Sequence, residues 1–273
     1  MINMLKTFAL LIGMLFYTTA NAEINLTFTH ESLTGGKTLN LESHEYIPEN
    51  WNGKVIVMSH GSTGGKDSAI KTSLKFINIS KFATDNGYIF VTYMRKGRGK
   101  SEGDFTEETG RCDYGNLSRE TQEAEVQLDQ VIDQVIRKYP IQKVILMGHS
   151  RGGFLSSIYA GKNQSKVMAV VNLAGGWSTT CEGKNGGFGR QGLSTSARAF
   201  HPQYWAYFQN DSYFASGKFN DSDYAWFSQT AAENGVTFKV FSDGGRADGH
   251  QAPIWVPTEW ATDFFPLLNK ISK

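Results

Sequence analysis

The pentapeptide Gly148-His149-Ser150-Arg151-Gly152 sets a hydroxyl between two residues without side chains, where the apolar run Lys143 to Met147 gives way to a helix-like pattern. A strand that turns so sharply into a helix pushes its central residue out of the sheet. A Cβ at Gly148 or Gly152 would collide with the neighbouring strand or helix. The unpaired N–H groups that open the helix face the serine, so negative charge forming there is stabilised. Acyl transfer to a serine needs this arrangement. Because a serine hydroxyl is a weak nucleophile near neutral pH, it also needs a base, and the base needs a group to orient its ring and balance its charge.

The same pattern recurs at Gly99-Lys100-Ser101-Glu102-Gly103. There the charged turn Arg95 to Arg98 intervenes after the preceding strand, and the polar stretch Asp104 to Gly110 follows without an apolar face, so Ser150 is the expected nucleophile. Of the six histidines, His149 is expected to point away and pack, and His60 belongs to a glycine-rich loop. His30 and His44 come too early in the chain, and His201 lies in an irregular stretch. His250 follows the last strand, in Asp243-Gly-Gly-Arg-Ala-Asp-Gly-His, and is the expected general base. For the acid, Asp211 directly follows a strand and lies between nucleophile and base in chain order. Asp243 shares a short loop with His250, and Asp248 and Asp223 are weaker alternatives.

Stabilising an oxyanion takes two donors. One is expected from the backbone N–H of Arg151. The other is expected from the loop Ser59-His60-Gly61-Ser62-Thr63-Gly64-Gly65, with Ser62 first and Gly61 second. That loop is no phosphate-binding P-loop, because Asp67 stands after Lys66 where Ser or Thr is required.

To bring these residues together the chain alternates strands and helices. Strands are predicted at Ile24 to Thr29, Leu39 to Tyr46, Lys54 to Ser59, Tyr88 to Met94, Lys143 to Met147, Val167 to Ala174, Tyr204 to Phe208 and Val236 to Phe241. Helices are predicted from Asp67 to Asn86 ahead of Gly87, from an N-cap at Ser118 to a stop at Pro140, from Arg151 to about Asn163, from Asp223 to Asn234 and from Thr258 to Ile271. Continuous apolar strands alternating with helices imply an α/β fold, a mostly parallel eight-stranded sheet covered on both faces. The glycine-rich segment Gly175 to Gln203 exceeds an ordinary connection of about 4 to 6 residues, and reads equally as a lid or pocket wall or as a surface loop. Aromatic residues, 13% of the chain and frequent after position 200, read first as core.

Met1 to Ala22 has the form of a secretory signal peptide: Lys6, a short apolar core, and Ala20-Asn21-Ala22 as the cleavage site before Glu23. Its apolar run falls short of the about 20 residues that span a bilayer, so no stable membrane anchor is expected. The mature domain, residues 23–273, would be periplasmic or secreted and is long enough for one buried core. A net charge of +1 gives no reason to expect a nucleic-acid partner. In an oxidising compartment the two cysteines, Cys112 and Cys181, are expected to pair rather than stay free. Oligomeric state has no signature in the sequence.

Taken with Arg98-Gly99-Lys100-Ser101-Glu102-Gly103, Asn210-Asp211-Ser212-Tyr213 and Gly249-His250, the His60-Gly61-Ser62 and Gly148 to Gly153 segments resemble the α/β-hydrolase superfamily. The likeness is greatest to its dienelactone-hydrolase-like and exported esterase or peptidase branches. It covers essentially the whole mature chain and implies a Ser150, Asp211, His250 triad with no metal and no organic cofactor. Dienelactone hydrolases proper use a cysteine where this chain has Ser150, so their substrate does not carry over. The resemblance implies cleavage of a small-molecule ester, with cleavage of a short peptide or amide on the same triad as the alternative. A binding protein that keeps the scaffold without catalysis is a further alternative.

Overall fold

A computed structural model describes residues 21–22, 26–30, 37–63, 67–107, 114–177, 187–215, 223–242, 245 and 247–271. Residues 1–20 of the expected signal peptide, Cys112, Cys181 and Asp243 lie outside these. The strands are β1 (Asn21–Ala22), β2 (Leu26–His30), β3 (Lys37–Leu41), β4 (Ser43–Tyr46), β5 (Val55–Ser59), β6 (Ile89–Tyr93), β7 (Val144–His149), β8 (Val167–Leu173), β9 (Gln203–Phe208) and β10 (Thr237–Phe241). The helices are α1 (Asp67–Ile70), α2 (Ile77–Asp85), α3 (Tyr114–Lys138), α4 (Arg151–Lys162), α5 (Gly187–Ala199), α6 (Asp223–Glu233), α7 (Ala252–Trp255) and α8 (Thr258–Ile271).

Eight strands form one sheet in the order β1-β4-β6-β5-β7-β8-β9-β10, and β2 and β3 form a separate antiparallel ribbon. Strand β4 runs antiparallel to β6 and to β1, whereas β6, β5, β7, β8, β9 and β10 are mutually parallel. Successive side chains of a strand point to opposite faces, and each face of this sheet has its own core. Val55, Val57, Val91, Val144 and Leu146 pack under Leu128, Val131, Ile132 and Val135 of α3 and Leu155 and Tyr159 of α4. Ile56, Met58, Phe90, Ile145 and Met147 pack under Ile79 of α2 and Trp260, Phe264 and Leu268 of α8. Burial on both faces is why these strands are apolar throughout. A third cluster, Phe154, Trp177, Trp205, Tyr207, Phe214 and Phe227, absorbs many of the late aromatic residues.

Four expected boundaries are corrected. The stretch 67–86 is two helices, because Phe76, at φ 51°, turns its side chain into the core and leaves 71–76 unwound between α1 and α2. The chain from Leu39 to Tyr46 breaks at Glu42, so β3 joins the ribbon and β4 the main sheet. Helix α3 begins at Tyr114, which puts Ser118 inside its first turns and not at the cap. The glycine-rich segment contains α5, whose Gly189, Leu193, Ser196 and Ala197 are buried. Its inward face is made largely of small residues, which is why no apolar stripe announces it.

Candidate active site

Three connections leave the carboxyl ends of β7, β9 and β10 and carry the three residues singled out in the sequence. Ser150 sits between β7 and α4 with φ 54° and ψ −125°, a backbone conformation that costs a residue with a Cβ about 1 to 3 kcal/mol. The bends around it tolerate no side chain. A Cβ on Gly148 would stand 2.1 Å from the Gly152 carbonyl oxygen, and one on Gly152 2.1 Å from that of Ser59.

Asp211 follows β9 and is fully buried. One of its oxygens, Oδ1, accepts the backbone N–H groups of Tyr213 (2.8 Å) and Phe214 (3.1 Å), which turns the other towards His250. His250 follows β10, in the loop before α7. Its Nδ1 donates to Asp211 Oδ2 at 3.0 Å, and its Nε2 lies 2.9 Å from Ser150 Oγ. A carboxylate can only accept, so the ring proton sits on Nδ1 and Nε2 is left to accept the serine proton. The close approach of the two loops depends on Gly249, where a Cβ would meet Asn210 Oδ1 at 2.3 Å. Rings of Tyr213 (4.4 Å), His149 (5.1 Å) and Phe214 (5.7 Å) surround the His250 imidazole.

Two contacts that sequence reasoning did not find hold the main chain of His250. Asp248 Oδ1 accepts its N–H at 2.9 Å, while the same carboxylate takes the Ser212 N–H (3.0 Å) and hydroxyl (2.8 Å). Burial raises the Asp248 carboxyl, but the hydrogen bonds from His250 and Ser212 outweigh it and hold it below the ordinary carboxylate range. On the other side, His149 Nε2–H donates to the His250 carbonyl at 2.7 Å. His149 thus does more than pack. Burial, aided by the nearby His250, drives its imidazole down to about 3, so it stays neutral. Its position beside the nucleophile was the one available clue, and it carries no direction.

The remaining candidates are dispersed. Asp223 pairs with Arg190 on α5. His44 pairs with Glu42 at 3.0 Å, and His201 precedes Pro202 on the surface. Ser101, the alternative serine, is buried with its hydroxyl donating to the Met94 carbonyl (2.7 Å) and accepting from the Glu42 N–H (2.9 Å). Gly61 of the glycine-rich loop abuts the elbow, since a Cβ there would lie 2.9 Å from Ser150 Cβ; Ser62 is the next residue and is exposed. Arg151 opens α4, and its guanidinium lies 4.0 Å from the Trp177 ring centre. Among the described residues, no three His, Cys, Asp or Glu side chains are grouped to hold a metal ion.

Residues 54–248 match the family model of the alpha/beta hydrolase fold. The chain belongs to this family. No curated protein matches its sequence. Solved structures of the same fold include Est1E from Butyrivibrio proteoclasticus, described with ferulic acid bound, at 15% identity and TM-score 0.61, covering 92% of this chain and 100% of that one. The Pyrococcus furiosus esterase Pf2001 aligns at 13% identity and TM-score 0.62, with 92% of each chain covered. XC6422 from Xanthomonas campestris, described as a serine hydrolase without lid, aligns at 15% identity and TM-score 0.56 over 93% of this chain and 94% of its own. These α/β-hydrolase neighbours include esterases and other hydrolases, and at such identities they share the fold.

Proposed function

We propose that this α/β-hydrolase is an exported serine esterase of the dienelactone-hydrolase-like or related exported branch, with Ser150 as nucleophile, His250 as general base and Asp211 as its orienting acid. The observation that carries this reading is the continuous hydrogen-bond chain Ser150 Oγ to His250 Nε2, 2.9 Å, and His250 Nδ1 to Asp211 Oδ2, 3.0 Å.

In the forward step His250 Nε2 takes the hydroxyl proton as Ser150 Oγ attacks the ester carbonyl carbon. The resulting oxyanion is held by the N–H groups of Arg151 and Ser62, with Gly61 as the second choice in its loop. His250 then passes the proton to the departing alcohol oxygen, leaving an acyl group on Ser150. Water, deprotonated by the same nitrogen, resolves the acyl-enzyme and restores the serine. Asp211 keeps the proton on Nδ1 and balances the imidazolium that forms twice per cycle. The likeness to Est1E, which has been seen with ferulic acid bound, and to the esterase Pf2001 favours an ester as substrate over an amide.

Export rests on the signal-like segment ending at Ala22, and a cut there would also remove β1, which pairs with Glu45 and Tyr46 at the sheet edge. With export we pair Cys112 and Cys181. Alkylation of either without a reductant would contradict that bridge.

A panel of p-nitrophenyl esters and aminoacyl p-nitroanilides offered to wild type and to Ser150→Ala tests the activity. Ester turnover that disappears in the variant, with slower or absent amide cleavage, is expected. Amide cleavage that outpaces every ester would make the protein a peptidase, and no turnover of either class would remove the enzymatic reading.

A further inference from the structure

Behind the loop that borders Ser150 lies a buried group of charges that the reaction above does not use. Arg95 follows β6 and is 1% exposed, yet its guanidinium reaches back to two consecutive carbonyl oxygens of that loop. Nη1 donates to the His60 carbonyl at 2.6 Å and Nη2 to the Gly61 carbonyl at 3.2 Å. His60 adds two ties: its Nδ1–H donates to the Gly61 carbonyl at 2.6 Å, and its Nε2 accepts the Arg95 backbone N–H at 3.0 Å. This pattern requires a neutral imidazole, and burial together with the Arg95 charge holds His60 well below its ordinary range.

A trans peptide carries its C=O and N–H on opposite sides. Turning the His60 and Gly61 carbonyls towards Arg95 therefore turns the N–H groups of Gly61 and Ser62 away from it. Gly61 abuts Ser150. A flip of either peptide would exchange a donor for a carbonyl oxygen on the opposite side of the loop, and Arg95 opposes both flips.

The counter-ion is Glu107, 7% exposed. Its carboxylate pairs with Arg95 Nε and with Arg98, whose Nη2 lies at 2.8 Å, and Arg151 Nη1 approaches it at 3.7 Å. Arg98 in turn bonds the Thr63 hydroxyl, and Arg151 Nη2 bonds Glu120 at 3.1 Å. Burial would raise the Glu107 carboxyl, but the guanidinium charges of Arg95, Arg151 and Arg98 outweigh it and keep it well below the usual range. One carboxylate thus joins the side chains that hold both proposed donor segments, the loop through Arg95 and the elbow through Arg151.

We propose that Arg95 and Glu107 are positioning residues that fix the orientation and separation of the oxyanion-binding N–H groups, an inference that rests on the serine-esterase reading. Neither touches the substrate. Their contribution therefore falls on the tetrahedral state, where the donors are used, and not on ground-state binding or on the base.

The test compares wild type with R95K, whose single ammonium nitrogen cannot reproduce the rigid two-nitrogen fork that sets the spacing of the two carbonyls, and with the near-isosteric E107Q. Each is measured for kcat and KM on p-nitrophenyl acetate, for affinity towards a trifluoromethyl ketone that forms a hemiketal oxyanion on serine, and for thermal unfolding. Losing one oxyanion donor typically lowers kcat about 10²- to 10³-fold. The expected result in R95K is a kcat loss of about 10²-fold with an equal loss of trifluoromethyl ketone affinity, and with KM within about threefold of wild type. E107Q should move in the same direction. Folded variants whose kcat and ketone affinity both stay within about threefold of wild type would overturn the inference. So would failure of both variants to fold, which would make the network structural. A wild type that neither turns over the ester nor reacts with a fluorophosphonate would defeat the esterase reading itself, and the inference with it.

Discussion

Two serines in this chain sit in the same five-residue pattern, and their surroundings separate them. Ser101 has both hydrogen-bonding roles occupied by Met94 and Glu42 main-chain groups, so S101A should keep ester turnover and lose about 1 to 3 kcal/mol of stability in urea unfolding. Unchanged stability would remove the structural role. Ser150 has an imidazole as partner and a positive φ that a Cβ tolerates poorly. Both S150A and S150G should be inactive, but the glycine variant should be the more stable by about 1 kcal/mol, because it alone adopts that φ without strain. Replacing His250 with Ala should lower kcat by about 10⁴-fold or more. His149 gives a pH signature. An unfolded imidazole takes up a proton near about 6.5, whereas folded His149 does so only at about 3. Stability is therefore complete above the unfolded value and falls as pH drops from about 6.5 towards 3. His60 is shifted in the same direction. Thermal melts of H149Q between pH 6.5 and 5 should therefore show a shallower decline than wild type, and an identical decline would contradict the buried neutral state.

The strand-turn-helix at β7 and α4 was legible because its constraints are local. Apolar residues precede the turn, glycines flank it, and nothing distant is needed to specify it. The folded elbow is nevertheless hemmed in by a distant strand end: G152A should unfold the protein or lower its melting temperature sharply, because the added carbon meets backbone oxygens of Ser59 and His60 that cannot move aside. G187A, at the start of α5 with no neighbour within 4 Å, should leave both melting temperature and turnover unchanged. A G152A protein as stable as G187A would show that the elbow is looser than its geometry indicates. What the sequence concealed was set by tertiary contacts. Phe76 breaks an otherwise helix-compatible stretch by turning into the core, and α5 packs through Gly189, Ser196 and Ala197, residues no periodicity scan weights. Asp248 and Arg95 act on main-chain atoms of Ser212 and His60, 36 and 35 positions away, so their side-chain types alone gave no sign of their roles.

The sheet, its two-sided core and the three loops that gather Ser150, Asp211 and His250 place the candidate site at the carboxyl ends of the parallel strands β7, β9 and β10. The alternation of apolar strands with helices was enough to fix that much, and the family match over residues 54–248 spans the same elements. Export concerns the other end of the chain, and N-terminal sequencing of protein recovered from a periplasmic or culture fraction should begin at Glu23; protein found there still carrying Met1 would contradict cleavage. The catalytic assignment is tested most directly by peptide mapping after reaction with a fluorophosphonate, in wild type and in H250A. A single adduct on Ser150 is expected in wild type, formed far more slowly in the variant. An adduct on Ser101 or another serine, or labelling of Ser150 at the same rate without His250, would contradict that assignment.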